Sequence, residues 1–196
     1  MKQIGTTALI VLTMSLAIRA QSPAWQLDPA HSTAQFAVRH LGISTVRGNF
    51  TKVSGTVRYD PADPKNDSVD VSIDVASVDT RVEMRDNDLR SDHFFDVQKY
   101  PTITFKSTKV DSAGAGKLKV TGDLTIRGTT KQVTLDVEGP SQPINDGNGR
   151  LHMGASATTT IERADFGVSG APGVVGPTVT LTIDVELVQP SGPSSK

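Results

Sequence analysis

The sequence predicts an all-β fold of about eight antiparallel strands with one or two short helices. In nearly every predicted strand apolar and polar side chains alternate, which is typical of strands with one buried and one wet face. The uninterrupted last row consists of Val179, Leu181, Ile183, Val185 and Leu187. No long helical crossover separates the strands, so parallel pairing is not expected. Eight strands of similar length suit either a closed barrel or a sandwich.

The first half of the chain contains one change of phase. Val46, Gly48 and Phe50 place small or apolar residues at even positions, whereas Val53 and Val57 place them at odd positions. A single strand that keeps one face inward needs an extra residue there. We therefore predict a β-bulge near residues 51–52, with a turn between two strands as the alternative.

One segment has helical rather than strand character. Thr80-Arg81-Val82-Glu83 matches a capping box, which predicts a helix over about residues 82–90. Its apolar face is thin, so we expect it on the surface or over an opening. The segment 93–105 that follows is an aromatic corner containing three of the six phenylalanines. Such a cluster either closes the end of a core or lines a pocket for an apolar ligand.

Several inward positions are small, among them Gly48, Gly122, Ala155 and Ala157. An eight-stranded barrel is just wide enough for its own side chains or for one slender ligand. Either bulky neighbours fill the room that small residues leave, or a ligand does. The predicted cavity lining is Phe36, Val38, His40, Phe50, Phe94, Phe95, Phe105, Leu118, Val120, Met153, Ala155, Ala157 and Phe166.

Arg163 continues the inward parity of Ala157 and Ile161, although a charge inside a barrel is costly unless paired. One interpretation is that the strand has ended or that an acid such as Asp165 pairs with it. The other is that Arg163 contacts the polar head group of a ligand at the barrel mouth.

The N-terminal residues predict export. Lys2 precedes an apolar run that ends before Ala20, which is typical of a signal peptide over residues 1–20 and too short for a membrane-spanning helix. The mature domain is then 21–189, periplasmic or secreted, with a tail of disordered composition at 190–196.

Charge and composition exclude some functions. Removing residues 1–20 takes Lys2 and Arg19 from the 20 basic residues and none from the 21 acidic ones, which leaves a net charge of −3. That charge argues against nucleic acid as a partner. The chain has no cysteine, so disulfides and thiol chemistry are excluded.

No motif for catalysis or for a cofactor is evident, and none is expected. The spacing of the four histidines fits no common zinc pattern, although His93 between Asp92 and Asp96 makes a metal site conceivable there. An enzyme acting on an apolar substrate, a hydrolase or an isomerase, would use His40 as an inward base. A third option is a filled barrel that acts through its surface in stress response.

Motifs along the whole mature domain resemble one family. They are WQLDPAHSTAQFAVRHLGIS from residue 25, SVDVSIDVASVDT, RDNDLRSDHFFDVQKYPTITF, GDLTIRGTTKQVTL and ERADFGV. In this order and spacing the chain is similar to the polyisoprenoid-binding YceI-like family over about residues 25–188. The resemblance implies a lipocalin-like barrel of eight strands and an exported protein with an elongated cavity for an isoprenoid or similar lipid. It attaches no catalytic residues, and it makes a homodimer one expected assembly.

Overall fold

The computed structural model describes residues 24–62 and 66–189. The predicted signal peptide and C-terminal tail lie outside them. The strands are β1 Ala24–Leu27, β2 Thr33–His40, β3 Ser44–Phe50, β4 Val53–Arg58, β5 Ser68–Asp74, β6 Val78–Asp79, β7 Thr102–Ser112, β8 Lys117–Ile126, β9 Thr129–Glu138, β10 Ile144–Asn145, β11 Leu151–Glu162 and β12 Val175–Val188. The α-helix α1 is Glu83–Arg90, and single 3₁₀ turns occupy Val75–Ser77 and Arg163–Phe166.

All pairings between these strands are antiparallel, and the sheet closes on itself through β11 and β12. Strands β1 and β2 lie end to end along one edge of β12, opposite Leu187 and Leu181 respectively. Likewise β3 pairs with β2, and β4 pairs with β1. The pairs β1/β2 and β3/β4 therefore each occupy one position, and the barrel has eight. The predicted eight-stranded antiparallel barrel is confirmed, and the sandwich alternative is wrong.

The predicted break near residues 51–52 is confirmed. Strand β3 ends at Phe50, β4 begins at Val53, and both residues are buried. The two intervening residues bond outside the barrel ladder, because the Thr51 amide donates to the Ser77 carbonyl and the Lys52 carbonyl accepts from the Asp74 amide. The extra residue lets the chain keep apolar side chains inward on both sides of the break.

The predicted helix is present, but its predicted capping box is wrong. Val82 precedes the first helical residue and makes no side-chain capping bond. Thr80 instead turns into the protein, where its amide and hydroxyl donate to Asp86 Oδ1 at 2.9 and 2.5 Å. Arg81 has a φ of 64°, so the chain reverses before the helix begins. The motif T-x-x-E is therefore present without the cap geometry.

Helix α1 and the aromatic corner cover one end of the barrel. Asp86 is the residue of α1 that is fully buried, whereas Met84 is 83% exposed. Arg90 ties the end of the helix to the 75–79 segment through bonds to the Ala76 and Val78 carbonyls. Among the described residues, no helix has the length and apolar composition needed to cross a membrane.

Candidate functional site: an apolar cavity inside the barrel

A cavity of about 250 Å³ occupies the interior of the barrel. Its lining is almost entirely aliphatic and aromatic, and nearly every barrel strand contributes to it. Strands β5, β9 and β12 contribute Val69, Val71, Ile73, Val133, Leu135, Val137, Val179, Leu181, Ile183 and Val185. These residues alternate with outward polar ones, so the period-two pattern that predicts each strand also places its apolar face on the cavity.

The exposure of these residues shows that the space is empty of protein. Ile73, Leu135 and Ile183 point inward yet keep a substantial accessible surface, because they face the cavity. Farther along the same strands the packing is tighter: Met153 is 2% exposed, and Leu187 is 1% exposed although it borders the cavity. The barrel interior is therefore hollow and narrows beside these two residues, which contradicts the filled interior of the third option.

Most of the residues predicted for the lining do line the cavity. They are Phe36, Val38, Phe50, Phe94, Phe95, Phe105, Leu118, Val120, Ala155, Ala157 and Phe166. Two do not. Met153 packs beside Leu187 without bordering the cavity, and His40 is the last residue of β2, beyond the cavity. Alternation predicts which face of the strand His40 lies on, but it does not give the position of a residue along the barrel axis.

The aromatic corner both closes the barrel end and lines the cavity. Phe94 is 5% exposed and packs against Gly170, where an added Cβ would lie 2.9 Å from its ring. Phe95 reaches the cavity and meets the ring of Phe50 edge-on at 5.8 Å between centroids. Phe50 in turn contacts Phe36 at the same separation. The two interpretations of this cluster from the sequence are thus compatible.

The small inward residues fall into two groups. A Cβ added to Gly48 would lie 2.5 Å from the Phe36 ring, and one added to Gly122 would lie 2.6 Å from the Phe105 ring. Rings from neighbouring strands therefore occupy the room beside both glycines. Ala155 and Ala157 of β11 instead line the cavity directly. Small residues leave usable space only where no adjacent aromatic ring covers them.

Arg163 is buried at the end of β11, and its partners are backbone carbonyls. Its Nε donates to Gly176 O at 2.9 Å, Nη1 to Val168 O at 2.8 Å and Nη2 to Val175 O at 3.0 Å. Burial lowers the pKa of the guanidinium. The strand does end here, as one interpretation held, but the partners are the carbonyls of Val168 and of the first two residues of β12 rather than Asp165. Arg163 also borders the cavity, so its contact with a ligand head group stays a prediction.

A few further polar side chains border the cavity at the opposite end from the aromatic corner. Tyr59 and Asp67 lie there, after β4 and before β5. Burial, together with the charges of Asp67 and Asp60, raises the pKa of the Tyr59 phenol. The tyrosine is therefore neutral at physiological pH, and it offers a hydroxyl without adding a charge to the lining.

His93 is paired with Asp88 rather than with Asp92 or Asp96, the neighbours considered from the sequence. Its Nδ1 lies 3.1 Å from Asp88 Oδ1 on α1, and both side chains are more than half exposed. Within the described residues, the one group of three potential metal-ligating side chains lies elsewhere, at Asp28, His31 and Glu186. The conceivable site at His93 therefore reduces to an exposed histidine–carboxylate pair.

A closed antiparallel barrel around an apolar cavity is the architecture of lipocalin-like proteins. The comparison with protein families then identifies the particular group: the model described as the YceI-like domain matches residues 25–187. The chain belongs to the YceI-like family.

Relatives and solved structures agree with this assignment. A UPF0312 protein of Vibrio cholerae is 38% identical over 92% of this chain and 95% of its own length. A YceI protein of Campylobacter jejuni is 36% identical and superposes with a TM-score of 0.70 over 78% of this chain and 90% of that one. BcnA of Burkholderia cenocepacia is 28% identical with a TM-score of 0.73 over 82% and 98%.

A polyisoprenoid-binding domain of Saccharophagus degradans shares the fold with a TM-score of 0.63 at 20% identity, over 86% of this chain and all of that one.

Proposed function

We propose that this protein is an exported binding and carrier protein for an isoprenoid or a similar long-chain apolar lipid, which it holds in the barrel cavity without catalysis. The observation that carries the proposal is the 250 Å³ cavity with its continuous apolar lining. Membership of the YceI-like family and the fold shared with a polyisoprenoid-binding domain support a lipid-binding role.

The lining favours a hydrocarbon chain over a polar ligand. Each CH₂-sized group that moves from water into the cavity contributes about 0.8 kcal/mol. A chain of several such groups needs few polar contacts to bind, so the fit depends mainly on cavity length and width. Arg163 donates three of its five N–H groups to backbone carbonyls. The remaining N–H groups would contact the polar head group of a ligand.

The enzyme alternative lacks the geometry it would need. It required His40 to face an apolar substrate as a base, and His40 lies beyond the cavity lining at the end of β2. A general base must be within hydrogen-bond reach of the proton it removes. The arrangement therefore supports binding rather than turnover of a cavity ligand.

The test blocks the cavity with tryptophan. Ala155→Trp and Ala157→Trp each fill the space beside β11, whereas Thr158→Trp adds the same ring to the exposed face of that strand. Lipid bound per protein is measured by mass spectrometry of organic extracts, with circular dichroism to confirm folding.

We expect the two inward variants to lose nearly all bound lipid and Thr158→Trp to keep the wild-type amount. Folded inward variants that still carry wild-type amounts of lipid would place the ligand outside the barrel.

Export is tested separately. The charged start and apolar run of residues 1–20 support cleavage, so protein recovered from its native host should begin at Gln21 or Trp25. N-terminal sequencing that finds Met1 retained would contradict export by this route.

A further inference from the structure

A group of charged side chains lies on the outer wall, away from the cavity, where β1 meets β12. Leu27 pairs with Leu187, and both are buried. One residue farther along, the Asp28 amide donates to the Glu186 carbonyl at 2.8 Å. Because side chains alternate along a strand, the side chains of Asp28 and Glu186 both point outward, and they are neighbours on adjacent strands.

The loop after β1 brings a histidine to these two carboxylates. Asp28 Oδ1 accepts from the Ala30 amide at 2.8 Å, a local turn that folds the chain back. His31 Nδ1 then lies 3.0 Å from Asp28 Oδ2. The next residue, Ser32, accepts from the Glu186 amide, which fixes the loop to β12. The potential ligand atoms of Asp28, His31 and Glu186 all lie within 4.8 Å of one another.

A second histidine supports Glu186 from the other side. His152 of β11 places Nδ1 2.7 Å from Glu186 Oε1, and its Nε2 lies 3.4 Å from Asp146 Oδ2. Arg150 approaches Asp146 at 3.8 Å. Three carboxylates thus share this patch with one permanent cation, and like charges on adjacent strands destabilise the sheet. The patch would be stabilised by one more positive charge between Asp28 and Glu186.

We propose that Asp28, His31 and Glu186 bind a divalent transition metal, with Zn²⁺ as the best fit, and that His152 positions Glu186. Imidazole and carboxylate oxygens suit zinc, whereas calcium takes six to eight oxygen ligands. Three protein ligands leave a coordination position for water. The exposed His31 gives the ion a path from solvent, and a histidine hydrogen-bonded to a ligating carboxylate is a typical outer-shell support. The site is on the outer wall, so it is independent of what the cavity binds.

The experiment is calorimetric titration of the untagged full chain, freed of metal by a chelator, with Zn²⁺ and in parallel with Mg²⁺. The ligand variants are His31→Ala and the nearly isosteric Glu186→Gln, and His152→Gln tests the positioning role. His93→Ala is the matched control, because His93 forms a similar pair with Asp88 and belongs to no three-ligand group among the described residues. Circular dichroism confirms that each variant folds.

We expect one Zn²⁺ per chain and no comparable Mg²⁺ binding. His31→Ala and Glu186→Gln should weaken Zn²⁺ binding by at least about 100-fold, His152→Gln by about 10–100-fold, and His93→Ala not at all. The absence of saturable one-to-one binding, or unchanged affinity in a folded Glu186→Gln protein, would overturn the proposal. Without one-to-one binding, a protonated His31 would be the positive charge that offsets the negative charges of Asp28 and Glu186.

Discussion

The strands β11 and β12 have a tightly packed part around Met153 and Leu187 and a more open part farther along, although the same alternation runs through both parts. Met153 and Leu187, paired across the two strands, are nearly inaccessible. Two residues farther along β11, Ala155 faces Val185 across the ladder and borders the cavity. The apolar character is equal in the two parts, and the difference is side-chain volume and the presence of a covering neighbour. A binding cavity is therefore a local interruption of packing in an otherwise normal core.

The largest expected effect separates the two parts within one strand. Leu187→Ala removes a side chain that is only 1% exposed although it borders the cavity, and it should lower the free energy of unfolding by about 2–5 kcal/mol. Ile183→Ala removes a side chain that already faces empty space, so it should cost markedly less. Urea unfolding of the two variants measures both values. Equal losses would mean that Ile183 is as well packed as Leu187.

A second comparison uses the small residues. Gly122→Ala forces a Cβ to within 2.6 Å of both the Phe105 ring and the Lys106 carbonyl, and overpacking of this kind costs about 1–3 kcal/mol. Ala157→Val enlarges a residue that borders the cavity, so it should be neutral or stabilising. The melting temperatures of the Gly122→Ala and Ala157→Val variants test both expectations. A stable Gly122→Ala protein would show that the Phe105 ring does not fill that space.

A third comparison concerns the helix over the barrel end. Asp86→Ala leaves the buried Thr80 amide without its acceptor, which should cost about 1–3 kcal/mol. Asp88→Ala, on the exposed face of the same helix, should change stability by no more than about 0.5 kcal/mol. The same unfolding assay compares them, and similar losses would contradict the assignment of Asp86 to the packed part of the molecule.

Alternation along the strands was enough to predict the barrel and most of the cavity lining. It identified the inward face of β12 and the break after Phe50, because both depend on residues close together in the chain. Whether a small residue leaves space depends instead on a ring from another strand, as with Phe105 and Gly122. The position of His40 along the barrel axis depends on the register between strands, which the local sequence pattern does not encode.

Two further features depend on distant residues or on unexpected local geometry. The group at Asp28, His31 and Glu186 joins the first and last strands, so no spacing motif in the sequence could show it. The T-x-x-E segment has the sequence of a capping box, but the amide and hydroxyl of Thr80 donate to Asp86 instead of capping the helix. In the first case the partners come from opposite ends of the chain, and in the second a residue six positions away overrides the local signal.

The smallest expected effect is the pH dependence of the outer wall. The hydrogen bond to Asp28, with the charge of Glu186, raises the pKa of His31 above 6.5. Its stabilising contribution is therefore complete below pH 6.5 and is lost as the pH rises through the raised pKa. The bond to His31 lowers the pKa of Asp28 below 3.8, so that contribution is lost as the pH falls through the lowered value.

In a chelator-containing buffer, His31→Gln should flatten the melting temperature across the range above pH 6.5. The His93→Ala protein serves as the control. A wild-type melting temperature that already shows no slope in that range would contradict the coupling between His31 and its two carboxylates.

The most direct test of a ligand cavity inside the barrel is the measurement of nuclear Overhauser contacts between methyl-labelled protein and a bound prenyl alcohol such as farnesol. If the ligand lies in the cavity, contacts are expected from it to the Ala155 and Ala157 methyl groups, which border the cavity. No contact is expected to the Met153 methyl group, because Met153 is 2% exposed and does not border the cavity. Contacts to Met153, or to outward methyl groups such as that of Thr158 in place of the two alanines, would contradict a ligand position inside the cavity.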